Sequence, residues 1–328
     1  MQRRQFITLI GGAAAGWSFT ASAQQAPKLP TVGFLNSAAP DDWASRIAAF
    51  RQGLSDAGYV EGRNVLLAFR FAEYHYDQLP AMALDLVHQG ADVILATGGD
   101  NSIKAAIAAT RTIPIVFTSA NDPVAAGYVK SLSRPGGNVT GVTFLGSALE
   151  AKRLELLHEI APKVASVAAL TGSGNARAES DAREIEGAAK SLGLRVHFVK
   201  IRSEDDVIPA FKDIAARRDD AIHIVTDPFL AARARTLAAL AAQAALPATQ
   251  SEREFAASGG LLSYGANSRS AYRSAGAYAG RILKGDKPAE LPVQESTKIE
   301  LVINLKAAKA LGLTIPITLL GRADEMIE

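Results

Sequence analysis

Cysteine is absent from the 328-residue chain, which excludes disulfide staples, thiolate nucleophiles and cysteine-based metal sites. Net charge is nearly absent too. It is +2 overall, and the first 23 residues carry two arginines and no acid, so the remainder is neutral. A neutral chain gives no electrostatic reason to expect nucleic acid or anionic lipid as a partner. The five histidines (His75, His88, His158, His197 and His223) show no HExxH or comparable spacing, so no metal site is expected. Phosphate-binding signatures are missing as well. Gly136-Gly137-Asn138 and Gly172-Ser173-Gly174 lack the G-x-x-x-x-G-K-[ST] pattern, and no G-x-G-x-x-G follows the first apolar run. No nucleotide or other cofactor is expected.

The apolar run near the start is too short and too glycine-rich for a membrane anchor. Arg3-Arg4 precede it and Ala21-Ser22-Ala23 follow, so residues 1–23 read as an export signal cleaved after Ala23. Arg-Arg-Gln-Phe resembles the twin-arginine type, and the mature protein is expected in the periplasm. With 48% hydrophobic and 21% charged residues, the rest reads as soluble and globular, long enough for two domains with their own cores.

The chain is organised around residues 91–123, ADVILATGGDNSIKAAIAATRTIPIVFTSANDP. Two β-branched runs flank an alanine-rich helical stretch, and each run ends in a polar cluster. This is a strand–helix–strand unit of a parallel sheet. The same alternation covers the preceding residues, with strands at 31–35 and 64–71 and helices at 42–57 and 79–89, and a strand at 139–144 follows. It then starts again: strands at 163–170, 196–201 and 220–225 alternate with helices ending at 192 and spanning 207–217 and 230–245. ADVILATG aligns with DAIHIVTD, and IPIVFT with LPATQS, at offsets of 129 and 133 residues. The fold expected is α/β: two Rossmann-like, doubly wound lobes whose strand ends face across a cleft, as in a hinged binding protein. Residues 259–265 and 298–303 read as strands crossing between lobes, and with the segment near Leu145 they make three crossovers. The lobes expected are 31–144 with 266–292, and 148–262 with 298–328, the placement of the C-terminal part being open.

In parallel sheets, ligands sit beyond the carboxyl ends of strands, against helix N-termini. That rule selects Asn36 and Ser37 after the first strand, Thr97, Gly98, Asp100 and Asn101 after the third, and Asp122 after the fourth. In the second half it selects Ser173, Asn175 and Asp227, with Asp227-Pro228 standing where Asp122-Pro123 stands in the first. Asp100 and Asp122 suit helix N-caps as well as ligand contacts, and Asp122-Pro123 reads as the opening of a helix. Phe144, Phe229 and Tyr264 lie at or near strand ends, where they would wall an apolar pocket; core packing is the alternative for Phe144. Tyr76, in the loop before Leu79, is a further aromatic candidate.

The stretches IPIVFTSANDPVAAGYVKSLSRPGGNVTGV, AGRILKGDKPAELPV and KIELVINLKAAKALGL resemble ABC-transporter substrate-binding proteins of the tryptophan/tyrosine-binding type. These are a branch of the type I periplasmic binding proteins, and the resemblance runs from about Thr31 to Glu328. It implies a non-enzymatic receptor whose two lobes, joined by three hinge strands, hold a small amino-acid-like or aromatic solute. Delivery to a membrane permease driven by an ATPase is implied with it. In such relatives Thr or Ser followed by Pro stands at the positions of Asp100 and Asn101 and serves a ligand carboxylate. An acid in the second lobe, here Asp227, takes the ammonium group. Asp100 departs from the pattern: facing the cleft, it would repel a carboxylate and favour an amine. The protein is expected to be monomeric, without a nucleic-acid partner. Two other classes stay open, a receptor for a signalling partner and an enzyme using Asp100, Asp122 and Asp227 as acid–base groups.

Overall fold

The computed structural model describes residues 28–144, 149–172, 177–296 and 298–328. The expected export signal, the segment at Leu145, and Ser173 and Asn175 lie outside those residues.

In the first lobe β1 (Thr31–Asn36), β2 (Leu66–Phe71), β3 (Val93–Thr97), β4 (Ile115–Ser119) and β5 (Val139–Thr143) form a parallel sheet in the order β2-β1-β3-β4-β5. Every residue of β3, β4 and β5 is buried, as continuous apolar runs require in a sheet covered on both faces. The helices α1 (Ala44–Asp56), α2 (Leu79–His88) and α3 (Asp100–Ala109) make the crossovers. Alternate strand residues feed separate cores. Val32, Phe34, Val93 and Leu95 join one cluster, while Leu35, Ile94 and Ala96 join the other.

No helix follows β4. Asp122 and Pro123 open a run of turns, in which the Ala126 N–H donates to the Asp122 carbonyl at 3.0 Å and the Tyr128 N–H to the Pro123 carbonyl at 2.9 Å. Gly127, Pro135, Gly136 and Gly137 punctuate this segment too closely for a helix to propagate.

The second lobe holds α4 (Glu150–Ile160), β6 (Ser166–Gly172), α5 (Ala178–Leu192), β7 (Arg195–Ile201), α6 (Val207–Arg217), β8 (Ala221–Ile224), α7 (Pro228–Ala232), α8 (Ala234–Gln243), β9 (Ala248–Gln250), α9 (Arg253–Ala257) and β10 (Leu262–Ala266). The alternating pattern did not call for α4; its Leu154, Leu157 and Ile160 recur at helical spacing and are buried. The helix expected over 230–245 is two helices, broken at Arg233 (φ −98°, ψ 16°).

The chain then makes α10 (Ser268–Leu283), β11 (Gln294–Glu295), β12 (Ile299–Asn304), α11 (Leu305–Ala310), α12 (Ile317–Leu320) and β13 (Glu325–Ile327). Helix α10 packs on α1 of the first lobe, where Gly53 admits the Arg273 carbonyl and Gly276 the Phe50 carbonyl. Strand β11 pairs with β5. Strands β12 and β13 complete the second sheet, β7-β6-β8-β9-β10-β12-β13, parallel except between β10 and β12. Residues 259–265 and 298–303 therefore do not themselves cross between lobes. Their backbone groups are spent on the antiparallel ladder of the second sheet, from Leu262–Ile303 to Ala266–Ile299.

The sequence repeat is a repeat of topology. The order β7-β6-β8-β9-β10 reproduces β2-β1-β3-β4-β5, and ADVILATG and DAIHIVTD form β3 and β8 at the same sheet position. One equivalence drawn from sequence changes with it. Asp227 follows β8, so its counterpart is Gly98 after β3, whereas Asp122 follows β4.

Candidate functional site

The carboxyl ends of the two sheets meet around a cavity of about 110 Å³. Gly98, Gly99, Asp100 and Asn101 line it with Thr118 and Asn121 from the first lobe; Arg177, Thr226, Asp227 and Pro228 line it from the second. Trp43, Tyr76, Phe144 and Tyr272 supply aromatic surface. Gly98 and Gly99 have φ of 81° and 115°, a conformation that glycine adopts without strain. A Cβ on Gly98 would strike Asn36 and Ser37, and one on Gly99 would stand 3.3 Å from Pro228 of the opposite lobe. The turn is thus a close approach of backbone to both its own sheet and the facing lobe.

A chain of polar contacts runs behind and across the cavity. Thr97 Oγ1 meets Thr118 Oγ1 at 2.6 Å and also the Tyr272 hydroxyl. Trp43 Nε1 donates to the Tyr272 hydroxyl at 2.6 Å, and the Arg46 guanidinium lies 4.5 Å over the Trp43 ring. Arg46 Nη2 then donates to Glu252 Oε2 at 2.5 Å, joining the lobes. Burial works against the Arg46 charge, but Glu252 overrules it and raises the Arg46 pKa. Arg177 also bridges the lobes. Its Nη1 donates to the Ala120 carbonyl at 2.6 Å, and its Nε and Nη2 donate to Asp181 Oδ1 at 3.2 and 2.6 Å.

Asp227 is 2% exposed. Its Oδ1 caps α7, accepting from the N–H groups of Phe229 at 2.8 Å and Leu230 at 3.1 Å. Its Oδ2 is buried with no hydrogen-bond partner among the described residues. Burial pushes this carboxyl up to about 6, against the two N–H groups and Arg233. Asp100 is not an N-cap: Gly99 holds that position and Asp100 begins α3. Its carboxylate accepts a hydrogen bond from the Asn121 side-chain amide. Burial raises this carboxyl too, opposed by Tyr128, Lys104, Arg177 and Asn121.

Beneath Thr226 lies a fully buried charged cluster. Glu150 pairs with Arg153, its Oε2 is 2.8 Å from His223 Nε2, and its Oε1 accepts from the Thr226 N–H at 3.0 Å. Arg153 donates to Thr226 Oγ1 at 2.8 Å and to the Tyr264 carbonyl at 2.9 Å. Burial alone would raise the Glu150 carboxyl, but Arg153 and His223 overrule it and hold it well below the ordinary carboxylate range.

Of the residues selected from sequence, Gly98, Asp100, Asn101, Phe144, Asp227 and Tyr76 line the cavity. Asn36 and Ser37 do not. Both are fully buried behind the turn, Asn36 Oδ1 accepting from the Ala38 N–H at 2.7 Å and Ser37 Oγ donating to the Gly98 carbonyl. Thr97 stands in that same layer and reaches the cavity through Thr118 and Tyr272. Asp122 is exposed and accepts from the N–H groups of Val124 and Ala125 at 2.8 and 3.2 Å, outside the cavity. Phe229 packs edge-on against Tyr74 of the first lobe, ring centres 5.3 Å apart, under the Arg233 guanidinium at 3.4 Å. Tyr264 packs on the core of the second lobe.

Sequence reasoning missed Trp43, Arg46, Arg177, Glu252 and Tyr272. They sit in helices and turns beside the strand ends; Tyr272 arrives on α10, within the 266–292 stretch expected in the first lobe, but no local pattern marks its side chain as a cavity residue. Thr118 and Asn121 carried a signal, the polar cluster that ends β4 and follows it.

Two like-ordered α/β lobes closing on an interior cavity define a type I periplasmic binding protein. The family model described as ABC transporter substrate binding protein matches residues 41–327, and the chain belongs to that family. It is 28% identical over 264 residues to the tyrosine-binding protein of Clostridioides difficile (strain R20291), covering 80% of this chain and 75% of that one. Among solved structures, a conserved domain protein from Vibrio cholerae superposes with a TM-score of 0.82 at 30% identity, over 91% of this chain and all of that one (100%). The ABC domain from Streptococcus pneumonia in complex with L-Trp gives 0.81 at 26% identity, with the same 91% and 100% coverage.

Proposed function

We propose that this chain is the solute-capturing component of an ABC importer. Exported to the periplasm by its first 23 residues, the monomer takes a small polar organic solute, amino-acid-like or aromatic, between its lobes. It hands that solute unaltered to a permease with its ATPase. The observation that carries this reading is a cavity walled from both lobes and holding a buried carboxylate, Asp227, with one oxygen unpartnered. In this reading Asp227 anchors a cationic group, while Gly98, Asp100, Asn101 and Asn121 contact it from the first lobe. Trp43, Tyr76, Phe144 and Tyr272 enclose the apolar body. Contacts drawn from both lobes exist together only when the lobes are closed. Such a solute binds the closed form better and shifts the population toward it, giving the permease a form to recognise. The relatives named tyrosine-binding and crystallised with L-Trp support a solute of that size and kind.

The test is a thermal-shift screen of the mature protein against amino acids, aromatic acids, amines and nucleosides. A solute at 100 times its Kd stabilises by about 2.7 kcal/mol, a rise of several degrees. A panel that leaves the melting temperature unmoved, or turnover of a bound compound, would overturn the reading.

A further inference from the structure

Resting on that reading, the charges around the cavity narrow the class of solute. Both arginines in the wall are committed. Arg46 is paired with Glu252 at 2.5 Å, and Arg177 spends three donors on Asp181 and the Ala120 carbonyl. Among the described residues, the two remaining charged groups of the wall are Asp100 from the first lobe and Asp227 from the second. Asp227 is more than nine-tenths buried, with Oδ2 unpartnered among the described residues; the Asp100 carboxylate accepts from the neutral Asn121 amide and is further eased by Tyr128, Lys104 and Arg177.

The N-terminus of α3 opens on the cavity and would otherwise suit an anion, but the Asp100 carboxylate already lies in its first turn and offsets that field. A zwitterionic amino acid would therefore bring its carboxylate into a water-poor space with two acids and no uncommitted cation. A cation without a carboxylate meets no such opposition, and aromatic walls favour a cationic, aromatic solute further.

We propose that the cleft selects an aromatic primary amine lacking a carboxylate, its charge shared between Asp100 of one lobe and Asp227 of the other. An amine held by both acids is in contact with both lobes at once, so charge recognition and closure are one event.

The test is titration calorimetry of the mature protein with two matched sets. One is tyramine, L-tyrosine and 3-(4-hydroxyphenyl)propionate; the other is tryptamine, L-tryptophan and 3-(indol-3-yl)propionate. Within each set only the charged groups differ. The expected result is one amine binding at least tenfold tighter than its amino acid, with no binding of its acid. Asp227→Asn should weaken the amine tenfold or more, and Asp100→Asn should shrink the preference for amine over amino acid. An amino acid binding as tightly as its amine, a preference unchanged in Asp100→Asn, or silence from both amines would overturn the proposal. If the amines fail while another solute from the thermal-shift panel binds, the solute-receptor reading stands and only the amine class falls. If no solute binds, both fall.

Discussion

Two Asp-Pro dipeptides close strands in this molecule, and their local chemistry is nearly the same. Asp122 accepts from the N–H groups two and three residues on at 2.8 and 3.2 Å, and Asp227 does so at 2.8 and 3.1 Å. Their surroundings differ completely. Asp122 is exposed beside a run of turns, whereas Asp227 is 2% exposed at the head of a helix and faces the other lobe. Strand position explains the difference. In each sheet the order turns back between the first and third strands, and ligand crevices form at such switch points. Asp227 ends β8, which borders the switch, and Asp122 ends β4, one strand away. The dipeptide sets the cap; the topology sets whether the carboxylate stands in water or is buried in the wall of the cavity.

The largest expected effect tests what supports the buried member of the pair. Thr226, just before Asp227, rests on the Glu150–Arg153–His223 cluster, while Asn121, just before Asp122, is held by Ser119 Oγ at 3.0 Å and Thr143 Oγ1 at 2.9 Å. Glu150→Ala leaves Arg153 buried without its counter-charge and should cost about 3–5 kcal/mol in urea unfolding. A loss below about 1 kcal/mol would mean the cluster is hydrated, and that Thr226 is held no more firmly than Asn121.

The next effect tests the burial of Asp227 by pH. The folded-state pKa of Asp227 is about 6, above the unfolded value. Between about pH 4 and 6 the folded chain therefore holds a proton that the unfolded chain has lost. This contribution is fully present below about pH 4 and is lost as pH rises through 6. Asp227→Asn removes it, so the variant's stability relative to the parent should rise by about 2–3 kcal/mol between pH 4 and pH 7. A flat difference for Asp227→Asn would mean that its carboxyl is solvated.

The smallest effect is Asp122→Ala, which deletes an exposed pair of cap-like hydrogen bonds. It should cost about 0.5–1 kcal/mol and leave solute affinity unchanged. A loss of affinity would bring Asp122 into the site and erase the contrast.

Much of the fold was legible because buried parallel strands leave continuous apolar runs, as in β3, β4 and β6. The repeat was legible for the same reason. Element ends and side-chain contacts made between distant segments were not. The helix expected at Asp122-Pro123 failed against the glycines and prolines that follow, and α4 went unread between the two repeats. In the site, strand-end logic found Gly98, Asp100, Asn101 and Asp227. It also selected Asn36 and Ser37, which end a strand correctly but turn inward to hold the Gly98 loop. Arg46, Glu252 and Tyr272 are neighbours only after the chain has crossed between lobes, and no local pattern encodes that.

The central claim is that the lobes close on a solute. The absence of native cysteine allows two spin labels to be placed uniquely, one at Asp77→Cys beside Tyr76 and one at Asp205→Cys in the opposite lobe, both positions being exposed. Their separation is measured by double electron–electron resonance with and without the solute that raises the melting temperature most. The account predicts a shorter and narrower distance distribution at saturating solute. Identical distributions in the two samples would contradict it.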